Sequence, residues 1–232
     1  MKKTQIEYQS QEENAFSLST GDLMAGLLFI FILLLMGTLL RVQEKAEQDE
    51  KIVKQYNLIK SQLYIDMQAE FEKDLATWRA TIDSTLSIRF QEPSMLFDEG
   101  MSYLKPNFQA ILDDFFPRYI ALLSKPEYRE NIEEIRIEGH TNSNGDYYSN
   151  MKLSQDRTRA VLAYCFSLME SDDVDWLKGL VTANGLSSSH LILNADNTEN
   201  KDLSRRVEFR VRTNAEKQLE DIAEQRFKSH HE

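Results

Sequence analysis

Asp22 is the residue in this chain whose setting most directly implies chemistry. It stands in FSLSTGDLMAGLLFIFILLLMGTLL, residues 16–40, and from Leu23 to Leu40 no side chain is ionisable. At roughly 1.5 Å per helical residue, such a run crosses most of a hydrocarbon core about 30 Å thick. A charged carboxyl at the centre of such a helix costs about 2.5–3.5 kcal/mol, so an acid at the edge of the slab calls for a use. The residues alone leave two uses open. Asp22 caps a helix at the lipid headgroups, or it takes up and releases a proton inside the membrane. On a helix Ala25 and Gly26 fall on its face, and small residues there let another helix approach closely. Ser19 and Thr20 offer oxygen ligands for Na⁺, whereas the uniformly apolar remainder favours H⁺. Elsewhere the sequence has no His/Cys/Asp cluster of metal-ligand spacing and no G-x-S-x-G elbow. No enzyme, metal or other cofactor is therefore expected. Cys165, the single cysteine, sits among Val161, Leu162, Phe166 and Leu168 and reads as a small buried residue.

The elements that must position Asp22 follow from composition and periodicity. Residues 1–14 read as a short polar tail, 15–41 as a transmembrane helix, 42–84 as an amphipathic helical linker, 85–214 as a folded domain and 215–232 as a charged C-terminal tail. The apolar run is longer than the usual core of a cleaved signal peptide, and Thr38-Leu39-Leu40-Arg41 offers no small-x-small cleavage site, so it reads as an uncleaved anchor. Flanking charge compares Lys2 and Lys3 with Arg41, Lys45, Lys51 and Lys54; counted alone, it favours an outside N-terminus. Interleaved Glu44, Glu47, Asp49 and Glu50 weaken that signal. The net charge of -11 excludes a nucleic-acid partner, which would require a basic face.

From Arg41 to Ser84 there is no Pro or Gly, and apolar residues recur by threes and fours at Ile52, Tyr56, Ile59, Leu63, Met67, Phe71, Leu75, Trp78 and Ile82. That stripe packs either on a second copy of the chain or on the domain that follows. Beyond it, Leu86–Phe90 alternates as a strand, Pro106–Leu123 reads as a helix, and Ile132–His140 as a second strand. Thr141–Asn150 is a loop, Leu153–Met169 a helix, Asp173–Leu180 a short helix, Val181–Gly185 a strand and Arg206–Arg212 a last strand. The order βαβα(α)ββ implies an α+β domain with helices packed on a small mixed sheet.

Two stretches of that domain carry a family pattern. Gly139–Val161, GHTNSNGDYYSNMKLSQDRTRAV, resembles the GHTDxxGxxxxNxxLSxxRAxxV signature of OmpA-like peptidoglycan-binding domains, and DLSRRVEFRV resembles that family's NRRVEI strand. Together with a single span carrying an acid near its start, the chain resembles the B-subunits of ion-driven motors of the MotB type. The short N-terminal tail and a linker without a Pro-rich plug narrow the resemblance to the ZorB-type B-subunits of the Zorya antiphage defence system.

The resemblance implies a single-pass protein of the bacterial inner membrane, N-terminus cytoplasmic and C-terminal domain periplasmic. A homodimer of B chains would sit inside a ring of five A-type (MotA- or ZorA-like) membrane subunits, with Asp22 carrying protons and the domain gripping peptidoglycan. Peptidoglycan-binding positions carried over from the motif are Asn142, Asn150, Leu153 and Arg157. Arg157 would hold a cell-wall carboxylate in a bidentate fork. The family's Asp that meets the ammonium of diaminopimelate is Asn142 here, and an amide offers that ammonium no charge. Asp146 is the nearest acid able to replace it, and equally a structural ion-pair partner for Arg157. A flagellar stator subunit and a passive membrane-tethered wall anchor are the competing readings.

Overall fold

The computed structural model describes residues 2–91 and 93–214, apart from the side chains of 2–21, 55, 56, 93, 94 and 171–173. Helix α1, Lys2–Trp78, is uninterrupted by proline and contains the apolar run. Its 57 residues from Asp22 to Trp78 include a stretch long and apolar enough to cross a membrane, and in the isolated chain that stretch is unburied. The chain divides into two units, Met1–Lys51 and Ile52–Glu232.

In the second unit the later half of α1 is followed by β1 (Ala80–Asp83), β2 (Ser87–Phe90), α2 (Pro93–Leu96), α3 (Pro106–Leu123), α4 (Pro126–Arg129) and β3 (Ile132–His140). After β3 come α5 (Tyr147–Ser167), α6 (Ser171–Leu180), β4 (Val181–Gly185), α7 (Lys201–Ser204) and β5 (Arg206–Thr213). The five strands lie in the order β1-β2-β5-β3-β4; only the β3–β4 pair is parallel. The α+β class expected from the sequence is present.

The apolar stripe of α1 is satisfied by this domain. Leu63, Met67 and Phe71 are fully buried, and Trp78 nearly so. Phe71 lies 5.4 Å from Phe115 of α3 and 5.8 Å from Trp78, and Phe115 in turn lies 5.0 Å from Phe209 of β5. These tilted and edge-on ring contacts form the centre of the core. Polar contacts fix the same seam: Arg118 of α3 donates to Glu70 at 2.8 Å and Asp74 at 3.0 Å, and Tyr128 donates to Asp66 at 2.7 Å. Exposed side chains on the other faces, such as Leu58 and Ile65, take no part in it.

The helix was expected to run to Ser84, but it ends at Trp78. Arg79 takes a left-handed backbone with φ 52, which stops an α-helix. Thr81 and Ile82, β-branched, then extend as β1 and pair with β2 through Ile82↔Ile88. The tight turn between them is held by Asp83, whose carboxylate accepts from the Thr85 backbone N–H at 2.8 Å. The core stripe and the hairpin share a spacing of about four residues, which disguised the hairpin as one more helical turn.

Helix α5 also begins earlier than expected, at Tyr147, because Asp146 caps it by accepting from Tyr148 and Ser149 N–H groups. Its close seat on the sheet depends on two glycines. A Cβ on Gly139 would lie 2.6 Å from Thr158 Cγ2 and 2.9 Å from the Ser154 carbonyl; one on Gly185 would lie 2.3 Å from Gln155 N. Cys165 of α5 is buried in the core as expected, and burial pushes its thiol upward, away from reactivity.

Candidate functional site: a cationic cleft at the end of the sheet

Strand alternation divides β5 into two sets. Val207, Phe209 and Val211 enter the core, whereas Arg206, Glu208 and Arg210 point to the opposite face. In register, Glu208 lies between Arg89 on β2 and Glu138 on β3, and His140 lies opposite Arg206. Two glutamates directly opposed would repel, and their cost is offset by guanidiniums. Arg206 Nε reaches Glu208 Oε1 at 2.5 Å, Arg89 Nε lies 3.0 Å from the same oxygen, and Ser87 Oγ donates to Oε2 at 2.7 Å. Burial raises the Glu208 carboxyl, but the Ser87 hydrogen bond and the Arg206 and Arg89 charges outweigh it and hold the group down at about 2. For Glu138, burial is likewise outweighed, with the Arg210 guanidinium supplying the opposing charge, and the carboxyl stays below its ordinary range. Burial lowers His140 and keeps the imidazole neutral; its Nε2 lies 3.8 Å from each carboxylate, beyond hydrogen-bond reach.

Glu138, His140 and Glu208 bring ligand-type atoms within 4.8 Å of one another. Sequence spacing hid this trio because it assembles across two strands. Glu208 is already engaged by two guanidiniums and a hydroxyl, so the arrangement is an ionic network that stiffens the sheet end.

Above that network lies a small cleft. Its apolar wall is Leu96, Phe97 and Val207; Arg157, Arg205 and Arg206 supply charge; Gly139 and His140 close it. Arg157 projects from α5, held by Nε–H donation to the Met101 carbonyl at 2.8 Å and by a second bond to the Asp98 carbonyl at 3.3 Å. Its guanidinium stacks over the Phe97 ring at 4.8 Å. Burial, together with the nearby Arg205 charge, lowers the Arg157 guanidinium to about 10. Arg205 has its own counter-ion in Asp202 at 2.6 Å.

The residues singled out in the sequence fall into distinct places. Asn150, Leu153 and Arg157 share one face of α5 at spacings of three and four, but of these only Arg157 lines the cleft. Asn150 Nδ2 donates to the Asn144 carbonyl at 2.8 Å and toward the Asn142 carbonyl at 3.4 Å, shaping the loop before the helix. Asn142 is buried, and its Oδ1 accepts from Asn144 N–H at 3.1 Å. Asp146 is committed to the α5 cap and makes no ion pair with Arg157; in its place Arg157 uses backbone carbonyls. Asp22 belongs to the first unit, on the exposed surface of α1. Phe97, Arg205 and Arg206 complete the cleft and were not predicted as site residues, although the last two lie in the quoted SRRVEF motif.

The fold and cleft together define an OmpA-type domain carried behind an apolar helix, and the OmpA family profile matches residues 96–202. The chain is 40% identical to the Zorya protein ZorB of Escherichia coli Crooks, an alignment covering 94% of this chain and 96% of that one. A second Zorya protein ZorB, from Escherichia coli O139:H28, is 26% identical over 93% of this chain and 87% of its own length. The chain therefore belongs to the ZorB family. Among solved structures, a MotB-like protein of Desulfovibrio vulgaris has 24% identity and a TM-score of 0.49, covering 68% of this chain and 98% of that one. The cell wall anchor of the type VI secretion system of Pseudomonas aeruginosa has 20% identity and a TM-score of 0.46, covering 63% and 96%.

Proposed function

We propose that this chain is the B-subunit of a proton-driven inner-membrane motor, anchored to peptidoglycan and serving antiphage defence. The observation that carries the anchoring half is Arg157: a half-buried guanidinium, stacked on Phe97 and facing a cleft, whose bonds go to backbone carbonyls. Such a group is suited to a carboxylate from outside the chain, in a bidentate pair.

Asp22 supplies the other half. In the assembled complex it takes a proton from one side of the membrane and releases it to the other. Ala25 and Gly26 on its face leave room for the helices of a ring of five A-type subunits around a homodimer of this chain. The N-terminus lies in the cytoplasm and the OmpA-type domain in the periplasm, where the wall resists the torque. The chain itself carries out no bond-making chemistry.

Co-sedimentation of the full chain, in detergent, with purified sacculi tests the anchoring. The wild-type chain should pellet with the wall and Arg157→Gln should remain in the supernatant, while circular dichroism confirms that the variant is folded. Equal pelleting of the two contradicts the assignment. Purification of the wild-type chain as a stable monomer with no A-type partner would favour a passive tether over a motor.

A further inference from the structure

The cleft beside Arg157 is one-sided in its chemistry. It presents guanidiniums and an apolar wall, and among the described residues no acidic side chain lines it. Arg205 and Arg206 are balanced by Asp202 and Glu208. Arg157 has no carboxylate partner among the described residues, so a ligand anion is what completes it. The wall of Leu96, Phe97 and Val207 is matched to methylene groups and offers nothing to a second charge.

A zwitterionic ligand end would need an anionic acceptor for its ammonium as well as the guanidinium for its carboxylate. Neither of the side chains that the sequence offers for that task lines the cleft, and both are engaged elsewhere. Asn142 is buried, is an amide, and turns its Oδ1 to Asn144 N–H. Asp146 gives one oxygen to Tyr148 N–H at 3.2 Å and the other to Ser149 N–H at 2.9 Å, as the helix cap. Asp98 turns its side chain away to Tyr103 and Lys105 and presents only its carbonyl to Arg157.

We infer that this cleft recognises an aliphatic carboxylate and does not read the adjacent ammonium, so that it accepts wall stems whose amine is free, capped or absent. The inference rests on the wall-binding reading of the same site and specifies its ligand chemistry. A carboxylate docked on Arg157 forms a charge-assisted fork, and the ligand's stem lies along Phe97 and Val207. The ammonium, left toward solvent, keeps its hydration and contributes little.

Titration calorimetry of the full chain in detergent can test this with three soluble probes. They are meso-diaminopimelate, pimelate (the same diacid without amines) and 1,5-diaminopentane (the same diamine without carboxyls). The two diacids should bind within about 3-fold of each other, and the diamine should not bind. Arg157→Gln should abolish the binding of both diacids; should that variant not fold, the wild-type comparison of the three probes decides alone. Diaminopimelate binding more than about 10-fold tighter than pimelate would overturn the inference, because the ammonium would then contribute more than about 1.4 kcal/mol. Sacculus binding without binding of either diacid also overturns it while leaving wall attachment in place. Loss of sacculus binding as well would overturn the attachment reading itself.

Discussion

Replacing Phe71 with alanine tests whether the end of α1 is a structural part of the OmpA-type domain. Phe71 has no exposed surface and touches the rings of Trp78 and Phe115 at centroid distances of 5.8 and 5.4 Å, with Arg118 over its face at 5.1 Å. Truncating a fully buried phenylalanine costs about 3–5 kcal/mol, the transfer term plus the cavity left behind. For a unit of this size each kcal/mol lowers the midpoint by about 2–4 °C, so the expected fall is roughly 6–20 °C. Near-UV circular dichroism of the full chain in detergent reads the unfolding of this aromatic cluster directly. Leu58→Ala, at a position 71% exposed on the same helix, is the control and should move the midpoint by less than about 0.5 kcal/mol equivalent. If Phe71→Ala were as mild as Leu58→Ala, the stripe would not belong to the domain core and its partner would have to be sought in a second chain.

The remaining expectations concern the sheet end and α5. Glu208 is held at about 2, below its ordinary 4.5, so it favours the folded state fully above about pH 4.5 and loses that contribution as pH falls toward 2; the two states differ by about 3 kcal/mol. Urea midpoints measured between pH 6 and 2.5 should therefore fall, and the fall should be shallower in Glu208→Gln; an identical slope would contradict the ionic network. Gly185→Ala places a methyl 2.3 Å from Gln155 N and should cost at least about 1–3 kcal/mol, read as a lower thermal midpoint. An unchanged midpoint would mean α5 can move off the sheet freely.

Much of the second unit was legible because its sequence obeys local rules. The alternation in Ile132–His140 and Arg206–Arg212, and Pro106 at the first turn of α3, mark elements that the structure contains. The hairpin at residues 80–90 was half legible. Thr81 and Ile82 carry strand propensity, but they continue the three-four spacing of Leu75 and Trp78, and only the left-handed Arg79 breaks the pattern. The partner of the α1 stripe is a tertiary fact: Leu63, Met67 and Phe71 look the same whether they meet another copy or Phe115. The site was legible in the same measure. Arg157 stood out through its motif, whereas its bonds to the Asp98 and Met101 carbonyls, the stacking on Phe97 and the pairing of Glu138 with Glu208 depend on strands and loops distant in sequence. The reassignment of Asp146 from ligand acid to helix cap follows from where α5 begins, which periodicity placed six residues late.

The proposed function has one chain couple a proton-carrying acid in the membrane to a domain held by the wall. Asp22→Asn keeps the size and hydrogen-bonding capacity of that side chain and removes its proton. The decisive measurement is phage plating on cells carrying this variant with its A-type partner, alongside co-purification of the two subunits and sacculus co-sedimentation. Protection should be lost while the complex still assembles and still binds the wall. Wild-type protection by Asp22→Asn would contradict a proton-carrying role for this residue.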